Sequence, residues 1–112
     1  MNKITTHILD ISEGKPAQGV TATLEIKSEM GWEEIGTGIT DDDGRIKDIG
    51  PDAMNPGKGL YRLRFDTASY FKKHHKNCFH PSVTIEFEIT DGSHYHVPLL
   101  LSPFGYSTYR GS

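Results

Sequence analysis

The chain has 112 residues and a mass of 12.5 kDa, which is the usual size of one domain. Hydrophobic residues make up 35% and aromatic residues 10%, enough to build a core and to exclude disorder along the whole chain. A net charge of −3 argues against a nucleic-acid partner, which would need a concentrated basic face. We therefore expect a single domain over residues 1–112.

Targeting signals are not readable at either end of the sequence. The first residues lack the basic and then apolar run of a signal peptide, and no stretch approaches the roughly 18 apolar residues of a membrane span. The one cysteine, Cys78, has no partner for a disulfide within the chain, which fits a reducing compartment. These features predict a cytoplasmic protein with no membrane partner.

Short runs of alternating apolar and polar residues, separated by turn residues, are the strongest structural signal and predict an all-β antiparallel sandwich. The alternation is clearest at residues 20–27 and 83–90, where we expect the apolar series to face the core. About eight strands are expected in chain order, near residues 3–10, 20–27, 32–40, 45–49, 60–66, 83–90, 94–101 and 105–110. Turn residues separate them at Gly14–Gly19, Asp41–Gly44, Pro51–Gly59 and Asp91–Gly92.

One segment breaks the strand pattern. Residues Thr67–Lys76 contain few β-branched side chains and follow Asp66, a residue type that caps helix N-termini. We predict a short helix there and no other helix in the chain.

Two histidines two positions apart mark the strand near residues 94–101. On a strand, His94 and His96 share one face, and the opposite face carries the apolar series Tyr95, Val97, Leu99 and Leu101. The apolar series should take the core, so the histidines either are solvated or meet a partner surface. The spacing alone does not decide between them.

His7 and Arg45 are two further candidates with competing interpretations. His7 shares its face of the first strand with Thr5, and Ile8 points the other way, so parity does not say which side is buried. Arg45 follows the acidic turn Asp41–Gly44, whose carboxylates could simply pair with it at the surface. A structural histidine and a surface ion pair are therefore the alternatives to a site.

The segment from His74 to His80 packs three imidazoles and the Cys78 thiol into seven residues. Imidazole and thiolate are zinc ligands, but this spacing matches no standard structural zinc site. A polar helix end with a partly buried cysteine is the favoured interpretation, and we predict no metal. The tail after residue 102 is rich in hydroxyls and carries Tyr106 and Tyr109, which suggests that it is docked rather than frayed.

Four segments of the sequence form a recognisable set: His7–Asp10, Gly44-Arg45 after the acidic turn, His96–Leu100 and the ending Tyr106–Ser112. Together they resemble a known family, the transthyretin-like 5-hydroxyisourate hydrolases of urate catabolism. True transthyretins, the thyroid-hormone carriers, share the fold but lack the terminal Tyr-Arg-Gly-Ser. The resemblance implies a prealbumin-like sandwich with one short helix, assembled as a homotetramer whose channel holds the sites.

The resemblance also implies an activity and its residues. The expected reaction is hydrolysis of 5-hydroxyisourate to 2-oxo-4-hydroxy-4-carboxy-5-ureidoimidazoline, with no cofactor. It implies catalytic roles for His7, Arg45, His96 and Ser112, joined in substrate binding by Tyr109, Arg110 and Gly111. Either histidine could be the general base. The competing hypothesis is a non-catalytic, transthyretin-like carrier that binds a small aromatic ligand in the same channel.

Overall fold

A computed structural model describes residues 3–50 and 57–112 and contains two β-sheets. The strands described there are β1 (Ile4–Asp10), β2 (Lys15–Pro16), β3 (Thr21–Ser28), β4 (Gly31–Ile39), β5 (Arg45–Ile46), β6 (Gly59–Phe65), β7 (Val83–Ile89), β8 (Tyr95–Ser102) and β9 (Gly105–Thr108). A helix, α1 (Thr67–Lys73), joins β6 to β7. One sheet has the order β2-β1-β8-β9 with β5 also on β1, and the other has the order β4-β3-β6-β7.

The core lies between the sheets and is built from the alternating apolar series. In β7, Val83, Ile85 and Ile89 are buried and Phe87 is half-buried, while the residues between them are exposed. The β8 series from Tyr95 to Leu101 is buried in the same way. The predicted all-β sandwich with one short helix is therefore confirmed.

One strand pair departs from the antiparallel expectation. β1 and β8 run parallel, in a register that places Thr5 opposite His96 and His7 opposite Pro98. These strands lie at opposite ends of the chain, so no hairpin connection dictates their relative direction. The two-residue strand β2 was expected to be part of a turn, and the predicted strand at 45–49 is reduced to β5. The predicted turn Pro51–Gly59 lies mostly outside the described residues.

Helix α1 starts where the sequence indicates and ends three residues early. The Asp66 carboxylate accepts a hydrogen bond from the Ser69 backbone N–H at 3.1 Å, which confirms the N-cap. At the other end, His75 adopts a left-handed backbone with φ of 58°, and the Lys76 N–H bonds to the Phe71 carbonyl oxygen. This closure satisfies a free carbonyl and stops the helix. With seven residues, the one helix of the described part is too short to cross a membrane.

Glu25 contradicts the simple alternation of β3. It was expected to face solvent, yet it is only 7% exposed. The pairing of β3 with β4 shifts register between Leu24 and Glu25, and the Arg62 Nε lies 2.6 Å from the Glu25 Oε1. The Arg62 guanidinium also lies over the Trp32 ring, so the cation covers the carboxylate. The β-bulge and the Arg62 side chain that covers Glu25 together explain why the outer face is not solvated here.

Hydrogen bonds to the Asp10 carboxylate connect the end of β1 to α1. Its Oδ1 accepts hydrogen bonds from the Ser12 hydroxyl and the backbone N–H groups of Ser12 and Glu13, and its Oδ2 accepts one from the Tyr70 hydroxyl at 2.7 Å. Burial alone would raise the pKa of this carboxyl, but these hydrogen bonds outweigh burial and hold the pKa below its usual value. The charged carboxylate is therefore part of the fold.

Replacing Asp10 with asparagine is expected to lower the free energy of unfolding by about 1–3 kcal/mol, because the amide turns an NH2 group toward donors. Because the folded pKa is lowered, the stabilisation by Asp10 is present above its unfolded pKa and is lost as the pH falls through its folded pKa. Urea unfolding at neutral and acidic pH measures both effects. The control is Asp48→Asn at an exposed carboxylate that accepts one hydrogen bond, from the Gly50 N–H. Equal losses in the two variants would contradict the structural role of Asp10.

Candidate active site

The outer face of the first sheet carries the candidate residues. Ile4 and Ile8 of β1 are fully buried in the core, which settles the parity that the sequence left open. Thr5 and His7 therefore point to the outer face, where His7 is half-buried. His7 lies opposite Arg45 in the pairing of β1 with β5. β1 is thus the central strand of the candidate site.

Arg45 is placed by a tight turn that needs glycine. Gly44 has φ of 74°, and a Cβ there would lie 2.4 Å from the Ile8 carbonyl oxygen. Asp41 turns its carboxylate to the backbone N–H groups of Asp43 and Arg45, at 2.9 and 3.0 Å. None of the ion pairs among the described residues includes Arg45. The Asp41 carboxylate still interacts with Arg45 through space, because the guanidinium helps to lower the pKa of Asp41, but its Oδ1 bonds to the backbone of the turn.

An open cleft of about 220 Å³ lies at the end of this face where β1 begins. Its walls bring together cationic, imidazole and hydroxyl groups and the last residue of the chain: Lys3, Thr5, Arg45, Lys47, His94, His96 and Ser112. Three cationic side chains around one cleft favour an anionic ligand. Three predicted residues, Arg45, His96 and Ser112, thus share a cleft, whereas His7 lies beside it and does not line it.

His96 has the most perturbed environment of these groups. Its Nδ1 lies 2.7 Å from the Thr5 Oγ1, and the same oxygen lies 2.7 Å from the His94 Nε2. Burial disfavours the imidazolium and lowers the pKa of His96, and the nearby charges of His94, Arg45 and His7 lower it further. The imidazole is therefore neutral at physiological pH and can accept a proton.

The C-terminal tail is docked on β8, as its tyrosines suggest. The Gly111 N–H bonds to the His96 carbonyl oxygen at 2.9 Å, and the Thr108 hydroxyl bonds to the Pro98 carbonyl oxygen at 2.6 Å. A Cβ at Gly111 would lie 2.4 Å from the His96 Cδ2. Glycine at this position therefore lets the tail lie against the imidazole.

Tyr109 and Arg110 do not enter the cleft within this chain. They line a neighbouring crevice beside β7, and Tyr109 is 59% exposed. The Arg110 guanidinium lies 4.4 Å from the Tyr95 ring centroid and donates to the Ser93 hydroxyl at 3.3 Å. In this position Arg110 anchors the tail to the turn before β8.

Two histidines of the segment from His74 to His80 pack against different neighbours. The His74 ring packs against Tyr70, and the His80 ring packs edge-on against Tyr106. Cys78 is half-buried against the core. These side chains do not converge on one point as the ligands of a metal ion would.

The sequence did not single out Thr5, Lys3 or Lys47 as site residues. The two lysines lie next to strands and belong to no recognisable motif. The role of Thr5 depends on the β1–β8 register, which brings it to His94 and His96, 89 and 91 positions away in the sequence. A local pattern carries no signal for such a contact. The shared face of His94 and His96 was the one sequence feature that pointed to it.

Comparisons with known proteins point to one family. Residues 4–111 match the model of the HIUase/Transthyretin family. A 5-hydroxyisourate hydrolase of Salmonella dublin is 50% identical over 99% of this chain and 82% of its own length. The structure of Klebsiella pneumoniae 5-hydroxyisourate hydrolase superposes with a TM-score of 0.86 at 37% identity, covering 98% of this chain and 99% of that one.

Sea bream transthyretin in complex with thyroxine superposes with a TM-score of 0.89 at 34% identity, covering 97% of this chain and 94% of that one. Both branches of the family therefore share the two sheets and the short helix found here, and the prealbumin fold implied by the resemblance is confirmed. On the family match and on these relatives, the chain belongs to the HIUase/Transthyretin family.

Proposed function

We propose that the chain hydrolyses 5-hydroxyisourate in urate degradation, using water activated by histidine and charge stabilisation by arginine. The observation that carries the proposal is one cleft that joins Arg45, His96 and Ser112, with His7 beside it. Relatives of that name at 50% identity support an enzyme of this type.

The reaction needs a base, an anion-stabilising group and a proton donor. Water adds to a ring carbonyl, the acyl–nitrogen bond breaks, and the nitrogen leaves with a proton while a carboxylate forms. A neutral His96 can take the proton from water because its imidazolium is disfavoured in the cleft. Arg45 presents a planar, permanently charged fork that suits a carbonyl-rich anion and its developing oxyanion. His7 lies opposite Arg45 in the strand pairing, which supports a role for it in orienting water or returning the proton.

The same proposal includes the tail and the assembly. Ser112 lines the cleft, so its hydroxyl or terminal carboxylate can hydrogen-bond an imidazole or the substrate, and Gly111 holds it there. The cleft opens on the outer face of the first sheet, where a second copy of the chain would enclose it. A cytoplasmic homotetramer, with Tyr109 and Arg110 turned toward the channel between subunits, follows from the family resemblance. No cofactor is required by the residues named.

The second candidate is a carrier, which the likeness to sea bream transthyretin in complex with thyroxine favours. A site for an aromatic hormone is expected to be mainly apolar. Here three cationic side chains and two imidazoles line the cleft, an arrangement suited to a reactive anion. The polarity of the cleft thus favours the hydrolase.

Ultraviolet decay of 5-hydroxyisourate, generated fresh by urate oxidase, tests the proposal. We expect the protein to accelerate the decay and a variant ending at Tyr109 to lose at least about a hundredfold in kcat/KM, because it lacks Ser112 and the contact of Gly111 with His96. The matched control replaces the exposed Phe104 with serine and leaves the tail intact. No acceleration by the full-length protein, together with tight binding of thyroxine, would favour the carrier.

A further inference from the structure

We propose that Thr5 and His94 are positioning residues that hold His96 in the tautomer able to accept a proton from water. The inference rests on the proposed function, in which His96 is a general base, and it concerns two side chains that this mechanism leaves unused. The Thr5 Oγ1 bridges the two imidazoles, at 2.7 Å from each. A relay therefore runs from His96 through a buried hydroxyl to a solvent-exposed histidine.

The single proton of the Thr5 hydroxyl gives this chain of hydrogen bonds a direction. Thr5 has one O–H donor, so it donates to one imidazole and accepts from the other. When it donates to the His94 Nε2, the His96 Nδ1 must carry a proton and donate to the Thr5 oxygen. The His96 Nε2 then keeps a free lone pair.

The opposite direction makes His96 unable to act as a base. When the His94 Nε2 carries the proton, it donates to Thr5, and Thr5 donates to the His96 Nδ1. His96 is then neutral only with its proton on Nε2, where no lone pair remains for water. The relay also accommodates the reaction itself, because a His96 that gains a proton on Nε2 still donates through Nδ1 to Thr5, which donates to His94.

The relay therefore depends on a His94 Nε2 that accepts a hydrogen bond from Thr5. An Nε2 that carries a proton forces Thr5 to donate to His96, and the charge of His94 also disfavours an imidazolium at His96. The other charged or titratable groups around His96 are His7, Arg45, Lys3, Lys47 and the terminal carboxylate of Ser112 at the cleft, and Glu86, Glu88, Tyr109 and Arg110 in the neighbouring crevice, which His96 also lines. None of these reaches the Thr5 hydroxyl by a hydrogen bond, so the coupling between the two histidines is specific to the bridge.

Imidazole nitrogen NMR of the intact, 15N-histidine-labelled protein measures the tautomer without any assay of activity. At neutral pH we expect the His96 signal to show a protonated Nδ1 and an unprotonated Nε2. In Thr5→Val and His94→Leu, the signal should shift toward a protonated Nε2, and kcat should fall by about tenfold or more with a smaller change in KM. Thr5→Ser keeps the hydroxyl and should restore both readouts.

Thr6→Val is the matched structural control, because Thr6 is also buried in β1 but its hydroxyl donates to the Val97 carbonyl oxygen instead of contacting a histidine. It should leave the tautomer of His96 unchanged. A protonated Nε2 in the wild-type protein, or an unchanged tautomer in His94→Leu, would overturn the relay. His94 is exposed, so that variant should fold even if Thr5→Val does not. If the wild-type protein failed to hydrolyse 5-hydroxyisourate, the proposed function would fall while the tautomer would still decide the relay.

Discussion

His96→Asn is expected to lower kcat/KM for 5-hydroxyisourate by at least about a hundredfold, the usual contribution of a general base. Asparagine keeps a polar side chain of similar reach but cannot take a proton from water. His96 lies on the outer face of β8, so its loss leaves the core series from Tyr95 to Leu101 untouched. We therefore expect a folded protein that binds substrate and turns it over slowly.

The pH dependence of the wild-type enzyme should identify the same group. Burial and the neighbouring positive charges lower the pKa of His96 from its ordinary value of 6.5. The base is then lost only as the pH falls below that value, so kcat/KM should decline on the acid side with an apparent pKa under 6.5. This acid limb should disappear from the residual activity of His96→Asn.

His75→Asn is the matched control for this substitution. His75 is exposed beyond the end of α1 and has a left-handed backbone that asparagine tolerates well. It should retain wild-type kcat/KM and the wild-type acid limb. Wild-type turnover in His96→Asn would remove His96 from the mechanism and leave His7 as the base to be tested next.

Local sequence patterns were enough to predict the strands in which the alternation of apolar and polar residues decides which side chains are buried. Val83 to Ile89 and Tyr95 to Leu101 follow the period of a strand, and the structure buries the predicted face of each. The N-cap of α1 also follows from one residue, Asp66. In these cases the neighbouring sequence contains the physical cause, because side-chain parity or a single hydrogen bond determines the conformation.

Long-range contacts decide the features that the sequence did not reveal. Glu25 is buried because Arg62, 37 positions away, pairs with it across β3 and β6. Thr5 meets His94 and His96 only because β1 and β8 pair in parallel, in one particular register. Most of the candidate site depends on such contacts, so spacing could place His96 on a face but could not say which groups share that face.

Gly111 shows how strongly the site depends on close contact, and Gly111→Ala should lower kcat/KM by about a hundredfold, as expected when a reacting group moves by about 1 Å. The added Cβ would lie 2.4 Å from the His96 Cδ2 and 3.2 Å from the Pro98 Cγ, closer than carbon atoms approach without a shift. Thr5 holds the imidazole from the other side at Nδ1, so the ring cannot simply turn away. The tail must move instead, and Ser112 leaves the cleft with it.

Thermal stability separates this effect from unfolding, because the displaced segment is the end of the chain and contributes one backbone hydrogen bond from Gly111 to β8. We expect Gly111→Ala to melt close to the wild-type temperature while its activity matches that of the variant ending at Tyr109. The control is Gly92→Ala, where a Cβ meets nothing within 4 Å. It should keep full activity. If Gly111→Ala kept it as well, the tail would have to tolerate a methyl group against His96, and its contact with the imidazole could not be what holds Ser112 in the site.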